Sequence, residues 1–132
     1  EDHLIADELL EDNARTIVGP VISERCKPEL RNHTIETAGI LNKAGVPMCI
    51  CTDHPVVPEQ YLPLSAGLAV RGGLDRNEAL KAITIYPAVI TGIADRVGSI
   101  EVGKDADIVI FSGDPLSVCD TPDMVIVNGT VI

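Results

Sequence analysis

The chain has 132 residues, 45% of them hydrophobic, enough for one domain's worth of core. Twenty acidic residues against ten basic give a formal net charge of −10. That balance repels phosphate backbones and anionic lipid, and aromatics at 2% leave little to stack on bases, so neither nucleic acid nor a membrane is an expected partner.

From the N-terminus, Leu4, Ile5, Leu9 and Leu10 have the spacing of an amphipathic helix ending near Asn13. Thr16-Ile17-Val18 reads as a short strand stopped by Gly19-Pro20. Val21 to His33 is polar and contains proline, as a loop does. Thr34 is placed to N-cap a helix running through Lys43, with Gly45 closing it. Val46 to Cys51 reads as a buried strand that stops at Thr52-Asp53-His54-Pro55. A proline-rich loop precedes a helix from Leu64 to Arg71, closed by Gly72-Gly73. Asp75-Arg76-Asn77-Glu78 has the form of a capping box. Its helix, Glu78 to Ile85, is expected to end before Pro87, with another short helix over Ala88 to Ala94.

The remainder reads as β. Strands are expected at Ser99–Val102, where apolar and polar residues alternate, and at Asp107–Phe111, whose unbroken apolar run suits burial on both faces. Met124–Val127 and Thr130–Ile132 flank Asn128-Gly129, a type I′ hairpin signal. No apolar stretch approaches the ~20 residues of a membrane helix. The chain opens on Glu1-Asp2-His3, with no basic n-region of a signal peptide. Cys26, Cys49, Cys51 and Cys119 lack the C-x-x-C spacing of a metal site, and are expected to be reduced, core-packing thiols of a cytoplasmic protein.

Two strands alternating with helices do not stand alone as a parallel pair. They belong to a larger sheet or barrel, and a complete (β/α)8 barrel takes roughly 250 residues. The fold class expected is therefore α/β: the last β/α units of such a barrel over residues 1–94, followed by the C-terminal strands of a small β-sandwich over 95–132. Asp53 is the leading site candidate, because barrel enzymes place catalytic groups at the C-terminal ends of strands. An aspartate before a turn also serves as a cap, and that alternative stays open.

Gly98 to Ile110 has the form G-x-I-x-x-G-x-x-A-D-I-V-I. It resembles the C-terminal hairpin of the metal-dependent amidohydrolases, the urease-like and imidazolonepropionase-like enzymes, and the wording around Asp53 leans to the imidazolonepropionase-related branch. The resemblance runs through the whole chain but covers only the final third or so of a family member. It implies a hydrolase of C–N bonds in small, even cyclic, amides or imines, with a divalent metal, most naturally zinc. It implies that Asp53 ligates this metal and accepts a proton from the activated water. His54 could contact substrate or orient its turn. Arg25 or Lys27, in the loop with Ser23, Glu24 and Glu29, could hold an anionic group. His3 is expected to be an ordinary helix-start residue, His33 a surface one, and Asp107 a structural turn residue.

The family's paired histidines, its mid-barrel lysine and its later single histidines have no counterpart here. A C-terminal fragment is therefore expected, inactive by itself, a weak metal binder, and prone to self-association through exposed barrel edges. A docking module without catalysis, and a thiol or metal-handling protein using Cys49-x-Cys51, are the rival expectations.

Overall fold

A computed structural model describes all 132 residues. A 3-10 turn, Asp2–Ile5, leads into helix α1, Ala6–Glu11. Then follow strand β1 (Thr16–Val18), helix α2 (Thr37–Ala44), strand β2 (Met48–Ile50) and helices α3 (Leu62–Arg71), α4 (Arg76–Ala82) and α5 (Ile85–Thr91). The chain closes with strands β3 (Ile108–Ile110), β4 (Met124–Val127) and β5 (Thr130–Val131). No helix is long and apolar enough to cross a membrane.

There are two sheets. β1 and β2 pair in parallel, Thr16 opposite Met48 and Val18 opposite Ile50, with α2 as the crossover. β3, β4 and β5 form an antiparallel meander, Ile108 opposite Ile126 and Ile126 opposite Val131. Its tight turn uses positive φ at both Asn128 and Gly129, as a type I′ hairpin requires.

The core sits between the parallel pair and the helices. Leu41 and Ala38 of α2 meet Met48 and Ile50 of β2, Ala66 and Ala69 of α3, and Ala79 and Ala82 of α4. The alanines let the helices lie close to one another. One later residue joins this cluster: Leu116, which reaches back from the loop between β3 and β4. It comes so close to α3 that a Cβ on Gly67 would stand 2.5 Å from its carbonyl oxygen. The same loop is tied to α4 by an ion pair between Arg76 and Asp114.

Several expectations need correction. Ser99–Val102 is no strand: no other segment pairs with it, and Ile100 is 83% exposed. Its polar residues close a turn instead, Ser99 Oγ donating to Glu101 and Lys104 N–H bonding Glu101 O. β3 is not buried on both faces, since Val109 and Ile110 are about half exposed. Thr34 does not cap α2. Its hydroxyl accepts from Glu36 N–H at 3.3 Å, and the helix starts at Thr37. Pro63 and Pro87 lie inside first turns, of α3 and α5, where a missing N–H costs nothing. Cys26 and Cys119 are exposed, so only Cys49 of the four thiols is a buried one; Cys51 is half-buried.

Candidate functional site

Because β1 and β2 run parallel and in register, the segments that leave their C-terminal ends emerge at one edge of the sheet. Open α/β sheets bind ligands at this edge. From β1 comes the strap Gly19–His33; from β2 comes Cys51-Thr52-Asp53-His54. They are held together at their roots. Cys51 N–H donates to Val18 O at 2.9 Å, and a Cβ on Gly19 would lie 2.2 Å from Cys51 O. Glycine at 19 is therefore a packing requirement. The sequence showed only that it stops a strand.

Asp53 stands two residues beyond Cys51 with its backbone left-handed, φ 55°. Aspartate tolerates that region better than most side chains. Its carbonyl accepts Val56 N–H at 2.8 Å, which closes the turn. Its carboxylate is solvent-exposed and receives no hydrogen bond or ion pair from the chain. The side chain therefore caps nothing. His54 is likewise exposed and bonds to no neighbour.

The strap is tied at several points. His33 is half-buried, and its Nε2 lies 3.3 Å from Val21 O. A carbonyl can only accept, so Nε2 carries the proton, and the ring joins the two ends of the strap. This corrects the surface role expected of His33. Arg25 Nε donates to His33 O at 3.1 Å. A small cleft of about 100 Å³ lies between β1 and the far end of the strap, against Val18, Gly19, His33 and Thr34. His3, expected to be a plain helix-start residue, packs its Nδ1 3.0 Å from the Thr37 hydroxyl. Asp107 is the structural turn residue expected: its carboxylate accepts Asn128 N–H at 2.7 Å.

A larger cavity of about 350 Å³ opens at the opposite edge, where Arg15 and Pro47 precede the two strands. Its one hydroxyl, Tyr86, is committed to Glu78 at 2.5 Å. Burial, with a smaller push from Cys51, raises the Cys49 thiol. That is the wrong direction for a reactive thiolate and counts against thiol chemistry.

As a metal centre the donor set is incomplete. A catalytic divalent ion takes about three protein ligands, and nowhere does the chain gather three His, Cys, Asp or Glu side chains that could hold one. Asp53 is one free carboxylate of a suitable kind.

The arrangement is thus α/β, with an unengaged carboxylate at the carboxyl edge of a parallel pair. The chain belongs to the Amidohydrolase family, whose profile matches residues 4–132. It is 35% identical over 104 residues to Amidohydrolase tasK of Hapsidospora irregularis, a match covering 79% of this chain and 11% of that protein. It is 41% identical over 70 residues to the imidazolonepropionase of Thermoplasma acidophilum, covering 52% of this chain and 17% of the enzyme. The crystal structure of an amidohydrolase from Thermotoga maritima superposes on 99% of the chain with a TM-score of 0.94 and 38% identity. The chain spans 34% of that structure, so it is about a third of the length of its structural relative.

Proposed function

We propose that the protein to which this chain contributes is a divalent-metal-dependent hydrolase of C–N bonds in small amides or cyclic amides and imines. In this reading residues 1–94 are the closing part of a (β/α)8 barrel and 95–132 part of a small β-sandwich. Asp53 supplies one metal ligand and moves the proton. The observation that carries the reading is the free Asp53 carboxylate, standing on a left-handed turn beside the root of the strap. A group that pays for an awkward backbone and caps nothing is better explained by chemistry than by folding. Bound there, a divalent ion such as zinc would make water a nucleophile at neutral pH. Asp53 itself would hold the proton at a carboxylate oxygen and pass it to the leaving nitrogen. His54 lies one residue on, at the same edge, within reach of a substrate. Four unpaired thiols fit a cytoplasmic location. By itself, with one donor, the 132-residue chain should neither hydrolyse amides nor retain zinc.

The test is Asp53→Asn in the full-length protein, with metal content and hydrolysis of a panel of small amides measured together. Asparagine also tolerates positive φ, so the fold should survive. Activity should fall by about 10²–10⁴-fold, the usual worth of a positioned acid–base group. A full-length protein that holds no metal, or keeps its activity after the substitution, sinks the reading.

A further inference from the structure

Of the five asparagines in the chain, Asn128 is the one followed by glycine. With no Cβ at residue 129, nothing crowds the approach of its backbone nitrogen to the Asn128 side-chain carbonyl carbon. Both residues are exposed, at the tip of the β4–β5 hairpin. Independently of the hydrolase reading, we propose that Asn128 is a deamidation site that the fold holds silent, with Ala106 and Asp107 as the lock.

The reaction is a ring closure followed by hydrolysis. The Gly129 amide gives up its proton to solvent base, its nitrogen bonds to Asn128 Cγ, and the Cγ–Nδ2 bond breaks as ammonia leaves. Water then opens the cyclic imide on either side, leaving aspartate or isoaspartate at 128. Water is the only co-reactant, and nothing is oxidised or reduced.

Two bonds oppose the first step. The Gly129 N–H, whose proton must leave, donates to Ala106 O at 3.0 Å. The Asn128 N–H donates to the Asp107 carboxylate at 2.7 Å. The second bond pins the turn, with φ 49° at Asn128 and 78° at Gly129. It also holds a carboxylate one peptide unit from the nitrogen that has to become an anion, and a like charge disfavours that form. Ala106 and Asp107 reach the turn because β3 pairs with β4, Ile108 opposite Ile126. The lock therefore depends on the whole meander. It opens at the weakest place, since β5 is two residues long and lies at the end of the sheet. Short end elements open far more often than a whole domain unfolds. Deamidation at 128 thus records how often the hairpin opens. Isoaspartate then lengthens the backbone inside a two-residue turn, and either product sets a new negative charge beside Asp107.

The test follows aspartate and isoaspartate at residue 128 by peptide mapping in the full-length protein, incubated at mildly alkaline pH. The same protein denatured in guanidinium chloride sets the unlocked rate. Expected is a native rate at least about tenfold below it, because closure waits on local opening. Asp107→Ala should raise the native rate about tenfold, the worth of a hydrogen bond to a charged acceptor. Asp107→Asn, which keeps an acceptor and drops the charge, should fall between. Circular dichroism checks that each variant is folded; if Asp107→Ala is not, Asp107→Asn carries the comparison and must still exceed the wild-type rate. Asn13, Asn32, Asn42 and Asn77, each followed by a residue with a side chain, are the internal reference and should keep their wild-type rates. A native rate equal to the denatured one, a denatured chain that does not deamidate at 128, Asp107 variants no faster than wild type, or a rise shared by the other asparagines overturns the lock.

Discussion

The two sheets of this chain make opposite use of apolar residues. Around the parallel pair β1–β2, Leu41, Met48 and Ile50 are enclosed by helices on the same chain. In the meander β3–β5, Val109, Ile110, Val127 and Val131 are about half exposed or more. Yet the meander carries the wording most particular to the family, while the parallel pair carries Asp53. Sequence distinctiveness therefore sits apart from burial and from the candidate site, which share the parallel pair. Apolar pattern says what a segment can bury, not whether this stretch of chain supplies the cover.

The largest effect that sharpens this contrast is in the core. Leu41 is fully buried, so Leu41→Ala should destabilise the 132-residue chain by about 2–5 kcal/mol. Ile110 is 45% exposed, and Ile110→Ala should cost less than about 1 kcal/mol. Both are measured by urea melts at several protein concentrations. If Ile110→Ala costs as much as Leu41→Ala, and the cost grows with concentration, copies of the chain cover each other's meander and the contrast breaks.

Much of the fold was legible for local reasons. The β1 strand, Gly45 with its φ of 84°, the Asn128-Gly129 turn and the Asp75 cap each depend on a few neighbouring residues. The errors have tertiary causes. Ile100 and Val102 alternate like a strand, but a strand needs a hydrogen-bonding partner that this chain does not offer them. Pro87 is a local exception: a stop by sequence pattern, it falls in the first turn of α5, and α4 ends earlier, at Ala82. At the candidate site, the position of Asp53 just past a strand was legible from the apolar run of Val46 to Cys51. The Gly19–Cys51 approach was not, because residues 32 apart in sequence meet only through the parallel pairing. The His33 and Arg25 ties were hidden for the same reason: they belong to the closed strap, not to any periodic element.

A smaller effect tests how α4 contributes to the covered half. Asp75 accepts both Asn77 and Glu78 N–H groups, at 2.8 and 3.1 Å. The return bond of a full capping box is absent, since Glu78 turns to Lys81 and Tyr86 instead. Asp75→Ala should cost about 1 kcal/mol, within the 0.5–2 kcal/mol range of such caps. Asp75→Asn, which can still accept, should recover most of it. A loss well above that range would mean that α4 holds the core together through its start rather than through Ala79 and Ala82.

The smallest effect lies on the seam between the two halves. The Leu116 N–H, at 2.8 Å, and then Arg76 hold the Asp114 carboxyl below the ordinary carboxylate range. A depressed pKa means that the stabilisation is present at neutral pH and is lost as pH falls through the folded-state value. Both partners are nearly half exposed, so water and salt screen the pair. Asp114→Asn keeps an acceptor for Leu116 N–H while removing the charge. It should lower the melting temperature slightly at pH 7, less at high salt, and the gap from wild type should close on acidification below about pH 4. A gap that persists in acid would assign the seam to the Leu116 side chain seated in the core, and the ion pair would then be a consequence of the two halves meeting rather than a cause.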